Sequence, residues 1–402
     1  MVQDAVERSG NTPESGRDGR LRSMTAAIVC ISVVGFSLSL TLPLLSLMLE
    51  ARGVSDTWIG VNTAVAGVAA LVFSPMTGGL ARRLGTTRLI YIAILAGCLS
   101  LILLEPAPFW LWFPLRFVLT ASITVLFVIS EFWINATAPD HKRGLVMGIY
   151  STVLSVGFAL GPAVLAVFGS ESIVPLAIAV VTFLAAAIPV AFAGGFVPQV
   201  EGRPNHALMA LILAAPAATL AAFVYGAGES TMFTFMALWG IRSGLSESSA
   251  ALLITMAGLG NLLSQIPIGL VADRANRTLT LAACGAVGFG GAALLPLTVG
   301  TPWLVFTVMF VWGGLSAGLY TVGLTQLGAR FSGADLAAAN GLFVMLYAVG
   351  MLVGPGIGGL ALDTWPLFGL PLSIAAFYGV YAVFAFLRWW LRTRREARRP
   401  IS

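Results

Sequence analysis

Arg116-Phe-Val-Leu-Thr-Ala-Ser-Ile-Thr-Val-Leu-Phe-Val-Ile-Ser-Glu131-Phe-Trp133-Ile-Asn135 places two charges in an otherwise apolar run that begins at Phe113. As a helix, the run is long enough to cross a bilayer, which takes about 20 mostly apolar residues. A short basic loop follows, Ala138-Pro-Asp-His-Lys-Arg-Gly144, and then a second apolar run containing Gly157-Phe-Ala-Leu-Gly161-Pro162. An arginine and a glutamate in hydrocarbon are costly unless they pair or line a wet cavity. Folding alone gives no reason to keep them. A path for substrate and protons does.

The rest of the chain fits that setting. Of 402 residues, 58% are hydrophobic and 10% are charged, far from the roughly 25% charged of soluble domains. Mean hydropathy is +0.93. Forty-five glycines and twenty prolines suit membrane helices, which pack closely and kink. The net charge of +5 comes from basic residues at helix ends, so it reads as topology rather than nucleic-acid binding. Cys30, Cys98 and Cys284 each fall inside an apolar run and read as inert packers. His141 and His206 fall in loops, and no metal site or cofactor is expected. Residues 1–23 are polar and read as a disordered cytoplasmic tail with no signal-peptide cleavage site.

Hydropathy and loop signals divide the chain into twelve spans. The first six cover 24–49, 58–80, 88–104, 110–135, 144–168 and 172–196; the second six cover 210–240, 248–271, 278–299, 302–327, 337–362 and 371–391. The expected fold is an all-α membrane protein of twelve transmembrane helices in two pseudo-symmetric six-helix bundles. Residues 24–196 form the first bundle, 197–209 a cytoplasmic linker, 210–391 the second bundle and 392–402 a basic cytoplasmic tail.

Basic residues orient it. Arg8, Arg17, Arg20, Arg22, Arg82, Arg83, Arg88, Lys142, Arg143, Arg203, Arg274, Arg277, Arg330 and the arginines from Arg388 to Arg399 all fall on one side, leaving Arg52 and Arg242 opposite. Both termini are therefore expected in the cytoplasm, with the chain crossing the membrane many times. Trp58, Trp110, Trp112, Trp239, Trp303 and Trp365 mark the outer edge, Trp133, Trp389 and Trp390 the inner one, and Trp312 sits in mid-span.

The chain also repeats itself. Gly53-Val-Ser-Asp56 matches Gly244-Leu-Ser-Glu247, and the same offset of 191 carries Gly78 to Gly269 and Arg82 to Asp273. Gly157-x-x-x-Gly161-Pro162 meets Gly350-x-x-x-Gly354-Pro355 at an offset of 193. A duplicated six-helix unit accounts for these matches together.

With these motifs in place the chain resembles the major facilitator superfamily from Met24 to Arg392. The resemblance implies two bundles that rock about a central site near the midplane. The family's loop between helices two and three reads Gly-x-Leu-Ala-Asp-Arg-x-Gly-Arg. Here Gly78-Gly-Leu80-Ala81-Arg82-Arg83-Leu84-Gly85-Thr86 keeps the frame, with Arg82 and Thr86 replacing the aspartate and the last arginine. Gly269-Leu-Val-Ala-Asp273-Arg274-Ala-Asn-Arg277 keeps the charges in the second half. The resemblance implies gating loops built from Arg82, Arg83, Asp273, Arg274, Arg277 and Arg143, with Arg82 expected to meet Asp335. A plain positive-inside loop is the alternative. Arg116 stands where the family has an arginine tied to proton coupling, with Leu119 and Thr120 in place of the accompanying Gln-Gly; snorkelling of Arg116 toward the outer surface is the competing reading. The efflux-associated pattern Gly-x-x-x-Gly-Pro-x-x-Gly-Gly is whole in span eleven, at Gly350, Gly354, Pro355, Gly358 and Gly359, and truncated after Pro162 in span five. Generic small-residue packing also accounts for either copy alone. Glu131-Phe-Trp133-Ile-Asn135 resembles a poorly characterised bacterial branch of the superfamily.

Arg116 and Glu131 stand about 22 Å apart along one helix, too far to pair, and mark opposite ends of one path. Glu131 could equally join Arg83 or Arg143 in an inner gate. Glu229, in Tyr225-Gly-Ala-Gly-Glu-Ser-Thr, is the stronger candidate for a proton carrier because its neighbours are small or hydroxylated. A satisfied interhelical hydrogen bond is its bland alternative. Asn62, Asn261, Gln265, Tyr320 and Tyr347 are polar groups expected near substrate, with interhelical hydrogen bonding the alternative, and Phe36, Met232 and Phe233 are expected to line an apolar wall, with lipid-facing packing the alternative. No span carries paired acids, a His/Cys cluster or a nucleophile with its base, so an enzyme is not expected.

The expectation is thus a proton-coupled exporter of small lipophilic or cationic molecules, with an uptake symporter or facilitator, or a non-transporting receptor or scaffold, as alternatives. Its expected partners are a small-molecule substrate, protons and the lipid bilayer, with no nucleic acid, and the chain is expected to work as a monomer.

Overall fold

The computed structural model describes residues 13–137, 143–193, 215–331 and 333–397. The first half contains α1 (Pro13–Ala51), α2 (Asp56–Leu84), α3 (Thr86–Leu104), α4 (Trp112–Thr137), α5 (Arg143–Phe168), α6 (Val174–Ala185) and α7 (Ala187–Ala193). The second contains α8 (Pro216–Arg242), α9 (Glu247–Arg274), α10 (Arg277–Leu294), α11 (Pro302–Ser316), α12 (Gly318–Gly328), α13 (Gly333–Thr364) and α14 (Gly369–Ala397). Two pairs are single rods with a break, α6 with α7 and α11 with α12, which leaves twelve rods. Pro189 explains the first break: it has no N–H for the carbonyl of Ala185, and its ring crowds that turn. At the second, Tyr320 N–H bonds Ala317 one residue early, tightening the turn. Ten helices among the described residues are long and apolar enough to cross a membrane.

The helix ends differ from the expected spans where polar residues extend a rod into water. α1 is already helical at Pro13, inside the stretch expected to be a disordered tail, and α14 runs to Ala397, inside the expected basic tail. The linker expected over 197–209 lies outside the described residues, as do His141 and His206.

Each bundle is held by its glycines, and the repeat shows in which residues they meet. A Cβ on Gly157 would strike the backbone of Gly35 and Phe36, and one on Gly161 would strike Ser39 and Leu40, so α5 lies directly on α1. In the second half Gly350 faces Phe223 and Ala227, and Gly354 faces Ala227 and Thr231, so α13 lies on α8 in the same way. Phe36 and Leu40 correspond to Ala227 and Thr231 at the offset of 191. Gly53 and Gly244 also correspond, and both have positive φ, 76° and 93°, in the turns that precede α2 and α9.

The halves meet along two seams, α2 against α13 and α5 against α9. Gly60 packs on Pro355 and Gly67 on Leu352 in one seam; Gly258 packs on Ala159 in the other. Pro162 and Pro355 sit inside α5 and α13. Gly359, which completes the longer glycine pattern, lies against the carbonyl of Asp56. Its counterpart in α5 is Ala166. The fuller pattern thus serves a close approach between halves, a role separate from the packing of α13 on α8.

One end of the molecule carries Arg82, Arg83, Arg88, Arg274, Arg277, Arg330 and Arg388. The other carries Glu50, Asp56, Glu105, Glu171, Glu247 and Asp363 with Arg52 and Arg242. We call them the basic and acidic ends.

The tryptophans divide by role rather than by end. Trp58, Trp110, Trp303 and Trp365 are exposed. Trp112, Trp133 and Trp239 are instead buried, with indole N–H groups donating to Ala107 O, Ser23 Oγ and Leu367 O, so they staple loops and helices rather than anchor in the interface. Cys30, Cys98 and Cys284 are free and buried.

Candidate functional site

A narrow cavity opens between the halves. Its walls come almost entirely from the second half: Tyr225, Glu229, Met232 and Phe233 from α8, Asn261 from α9, Trp312 and Ser316 from α11, and Tyr378 from α14. Phe158 of α5 is the first half's contribution, its ring 5.5 Å from that of Phe233. Small residues make the space. Gly258 and Gly313 line the cavity, and a side chain on Gly228 would run into Tyr378.

Glu229 is the only carboxylate of this wall, half-buried on α8. Tyr225, one turn earlier, donates its hydroxyl proton to Oε1 at 2.7 Å. Tyr347 of α13 donates to Oε2. Tyr320 of α12 completes a cluster in which the three tyrosine rings lie 5.9–6.2 Å apart. The acid therefore has both oxygens hydrogen-bonded and aromatic faces around it, while one side meets open space.

A polar track leaves the cavity along α9. Asn261 accepts from Gln265 Nε2, and Gln265 Oε1 accepts from the Thr321 hydroxyl. Gln265 is one turn closer to the basic end than Asn261.

The other candidates separate. Arg116 is 2% exposed, which rules out a snorkelling side chain. Its Nη1 donates to Asn62 Oδ1 at 3.4 Å, and Asn62 Nδ2 is buried without a partner. Asn62 is therefore not part of the cavity wall: it is held between α2 and α4 as the acceptor for Arg116. Phe36 also falls outside the wall: its backbone meets Gly157 of α5, and its side chain packs against the apolar core. Glu131 is half-buried on α4. Arg82, Arg83 and Arg274 are exposed at the basic end, and Arg277 is half-buried. The side chains of Arg143, Asp273 and Asp335 lie outside the described set, and with them the expected meeting of Arg82 with Asp335.

Of the larger wall residues, Phe158, Tyr225, Trp312, Ser316 and Tyr378 were not among the sequence candidates. Trp312, the one tryptophan predicted in mid-span, was a usable signal. Its indole N–H donates to Gly288 O at 2.9 Å, which turns the ring edge-on to Tyr378.

At the acidic end a second constellation joins the halves. Arg242, at the end of α8, donates to both oxygens of Asp56, at 2.9 Å to Oδ1, and to Glu50 Oε1 at 3.0 Å. Asp363 of α13 accepts from the backbone N–H of Asp56 at 3.0 Å and of Thr57 at 2.7 Å, and from the Thr57 hydroxyl. Glu247 of α9 accepts from the backbone N–H of Ser170, in the turn after α5. Arg52 stays within the first half, donating to Ala107 O at 2.9 Å and to Glu105 O with its guanidinium 5.0 Å from the Trp112 ring. The two arginines that break the charge asymmetry thus have structural partners.

A family model described as Major Facilitator Superfamily matches residues 27–216 and 218–402. The chain is similar to the uncharacterised MFS-type transporter YfkF of Bacillus subtilis, 23% identical over 84% of this chain and 88% of that protein. It is also similar to the uncharacterised MFS-type transporter YcaD of Escherichia fergusonii, 26% identical over 86% and 89% of the two. Among solved structures, a bacterial homologue of the human lysosomal transporter Spinster in an inward-facing, unoccupied conformation superimposes with a TM-score of 0.73 at 15% identity, covering 94% of this chain and 97% of that one. A D-xylose–proton symporter superimposes with a TM-score of 0.70 at 15% identity, covering 91% and 97%. These likenesses establish the shared architecture.

Proposed function

Because this chain belongs to the Major Facilitator Superfamily, and is therefore a membrane transporter rather than an enzyme, we propose that it exports small lipophilic or cationic organic molecules in exchange for protons. The observation that carries the reading is Glu229, one carboxylate in an aromatic-walled cavity between two bundles, with Tyr225 and Tyr347 on its two oxygens. Phe158, Phe233 and Trp312 offer apolar and π faces to a lipophilic body, and a cation gains from both the rings and the acid.

The cycle follows from one site and two occupants. A proton on Glu229 removes the charge that attracts a cation, and an arriving cation favours the ionised acid. Tyr225 and Tyr347 keep the carboxylate aimed into the cavity in either state, and the Asn261–Gln265–Thr321 track gives water and protons a polar route. Arg116 and Glu131 act from the first half, Arg116 by fixing α2 to α4 through Asn62 and Glu131 as a second acid on α4. Rocking of the halves about the α2–α13 and α5–α9 seams exposes the cavity to each side in turn.

We read the basic end and both termini as cytoplasmic, in a bacterial inner membrane; the gathering of arginines at one end supports that orientation. Everted vesicles test direction directly. An exporter working by exchange accumulates substrate in them and releases lumenal protons, whereas an uptake symporter shows neither. The symporter is the second reading, favoured by the architecture shared with a D-xylose–proton symporter.

A further inference from the structure

The acidic-end contacts obey the internal repeat in an unexpected way. Asp56 corresponds to Glu247 at the offset of 191, and Ser170 corresponds to Asp363 at the offset of 193. Both seams therefore pair the same two positions. In the α2–α13 seam Asp363 supplies the carboxylate, and the start of α2 supplies the N–H groups. In the α5–α9 seam the roles invert: Glu247 at the start of α9 supplies the carboxylate, and Ser170 supplies the N–H.

Local capping explains why the roles can invert. Ser55, the residue before α2, makes no side-chain bond to its helix, so the first amides of α2 stay open to an outside acceptor. Asp363 takes them. Ser246, the corresponding residue before α9, accepts from Ser249 N–H and caps its own helix. Glu247 is thereby free to reach the opposite half. In both seams the acid belongs to the second half and the amide to the first. Gly359 and Gly169 permit the approach: one lies against Asp56 O, and the other has φ 70° beside the Glu247 carboxylate.

We propose that Asp363 and Glu247 form a two-point latch that holds the acidic end closed, with Arg242 on Asp56 and Glu50 as a third point between them. Charge-assisted bonds to backbone N–H are strong in a partly buried seam and lie across the gap that must open. The latch breaks when that end opens and re-forms when it closes. At both caps the donors are backbone N–H groups, joined at Asp363 by the Thr57 hydroxyl, so main-chain geometry sets their register and Arg242 alone adds a pairing of side-chain charges. The inference is independent of what Glu229 binds.

The test is a distance measurement between halves. Nitroxides at Glu105→Cys and Trp303→Cys, both exposed at the acidic end and outside the latch, report separation in nanodiscs by pulsed electron resonance. The parent gives mainly the short distance. Asp363→Ala and Glu247→Ala each raise the long-distance population at least about threefold, and the pair together makes it dominant. Asp363→Asn and Glu247→Gln, which keep one acceptor oxygen and the shape, give smaller increases and safeguard the test should an alanine variant fold poorly. Arg242→Gln, which leaves both caps intact, gives less opening than Asp363→Ala. Unchanged distances in the Asn and Gln variants combined, or a larger effect from Arg242→Gln than from both caps, overturn the latch.

Discussion

Tyr347 on α13 donates its hydroxyl proton to Glu229 on α8, and thereby ties the cavity's acid to the helix that forms a seam with the first half. Any movement of α13 against α8 changes the hydrogen bonding of Glu229.

Removing that tie has a measurable consequence. Tyr347→Phe and Tyr225→Phe each delete one hydrogen bond to the acid, about 1.5–3 kcal/mol for a charged acceptor. Each variant should melt a few degrees below the parent and transport at a reduced gradient-driven rate. The double variant should lose more than the sum, because one carboxylate oxygen without a donor can still turn toward the remaining tyrosine. Thermal unfolding in detergent and flux in proteoliposomes check this. Additive, small losses would mean that the hydroxyls do not position Glu229.

Arg116 gives a second prediction. Its bond runs to an asparagine whose own Nδ2 has no partner. Asn62→Leu leaves the guanidinium without that acceptor in a buried site and should cost about 1–3 kcal/mol. Asn62→Asp supplies a charge-matched acceptor of the same shape and should raise the thermal midpoint above that of Asn62→Leu, at or above the parent. The same order of midpoints measured in an Arg116→Gln background would contradict the pairing.

The glycine seams predict a difference in sign. A Cβ on Gly354 would sit 2.3 Å from Ala227 O, whereas one on Gly356 would meet nothing within 4 Å. Gly354→Ala should destabilise by about 1–3 kcal/mol through overpacking. Gly356→Ala, two residues away, should be neutral or stabilising by up to about 1 kcal/mol, since alanine is the better helix former. Thermal midpoints of the two variants decide it, and equal destabilisation would contradict the packing of α13 on α8.

Much of the architecture was legible because the membrane imposes it. Long apolar runs must be helices, and the pairs Gly157 with Gly350 and Asp56 with Glu247 exposed the duplication before any coordinates. The position of Glu229 was legible as well: an acid among glycines and hydroxyls in mid-span stands in the cavity wall. What the chain hid was three-dimensional neighbourhood. Asn62 and Asn261 are both polar residues inside apolar helices, yet one is held by Arg116 and the other faces the cavity. Helix rotation decides between them, and α9 shows almost no polar stripe from which to read it. Tryptophan was misleading for a related reason. Trp239 and Trp303 both sit near a helix end, but Trp239 turns inward because Leu367 O offers its N–H a partner. The caps that Asp363 and Glu247 make across the seams were illegible because their donors are mostly backbone amides, which every residue but proline carries.

Glu229→Gln in proteoliposomes tests the central claim most directly, once a substrate has been found by thermal-shift screening. Glutamine keeps the shape and the tyrosine contacts but cannot carry the proton. The account predicts loss of uptake driven by an imposed pH gradient, by at least about tenfold, with substrate-for-substrate exchange retained. Gradient-driven uptake equal to that of the parent would contradict it.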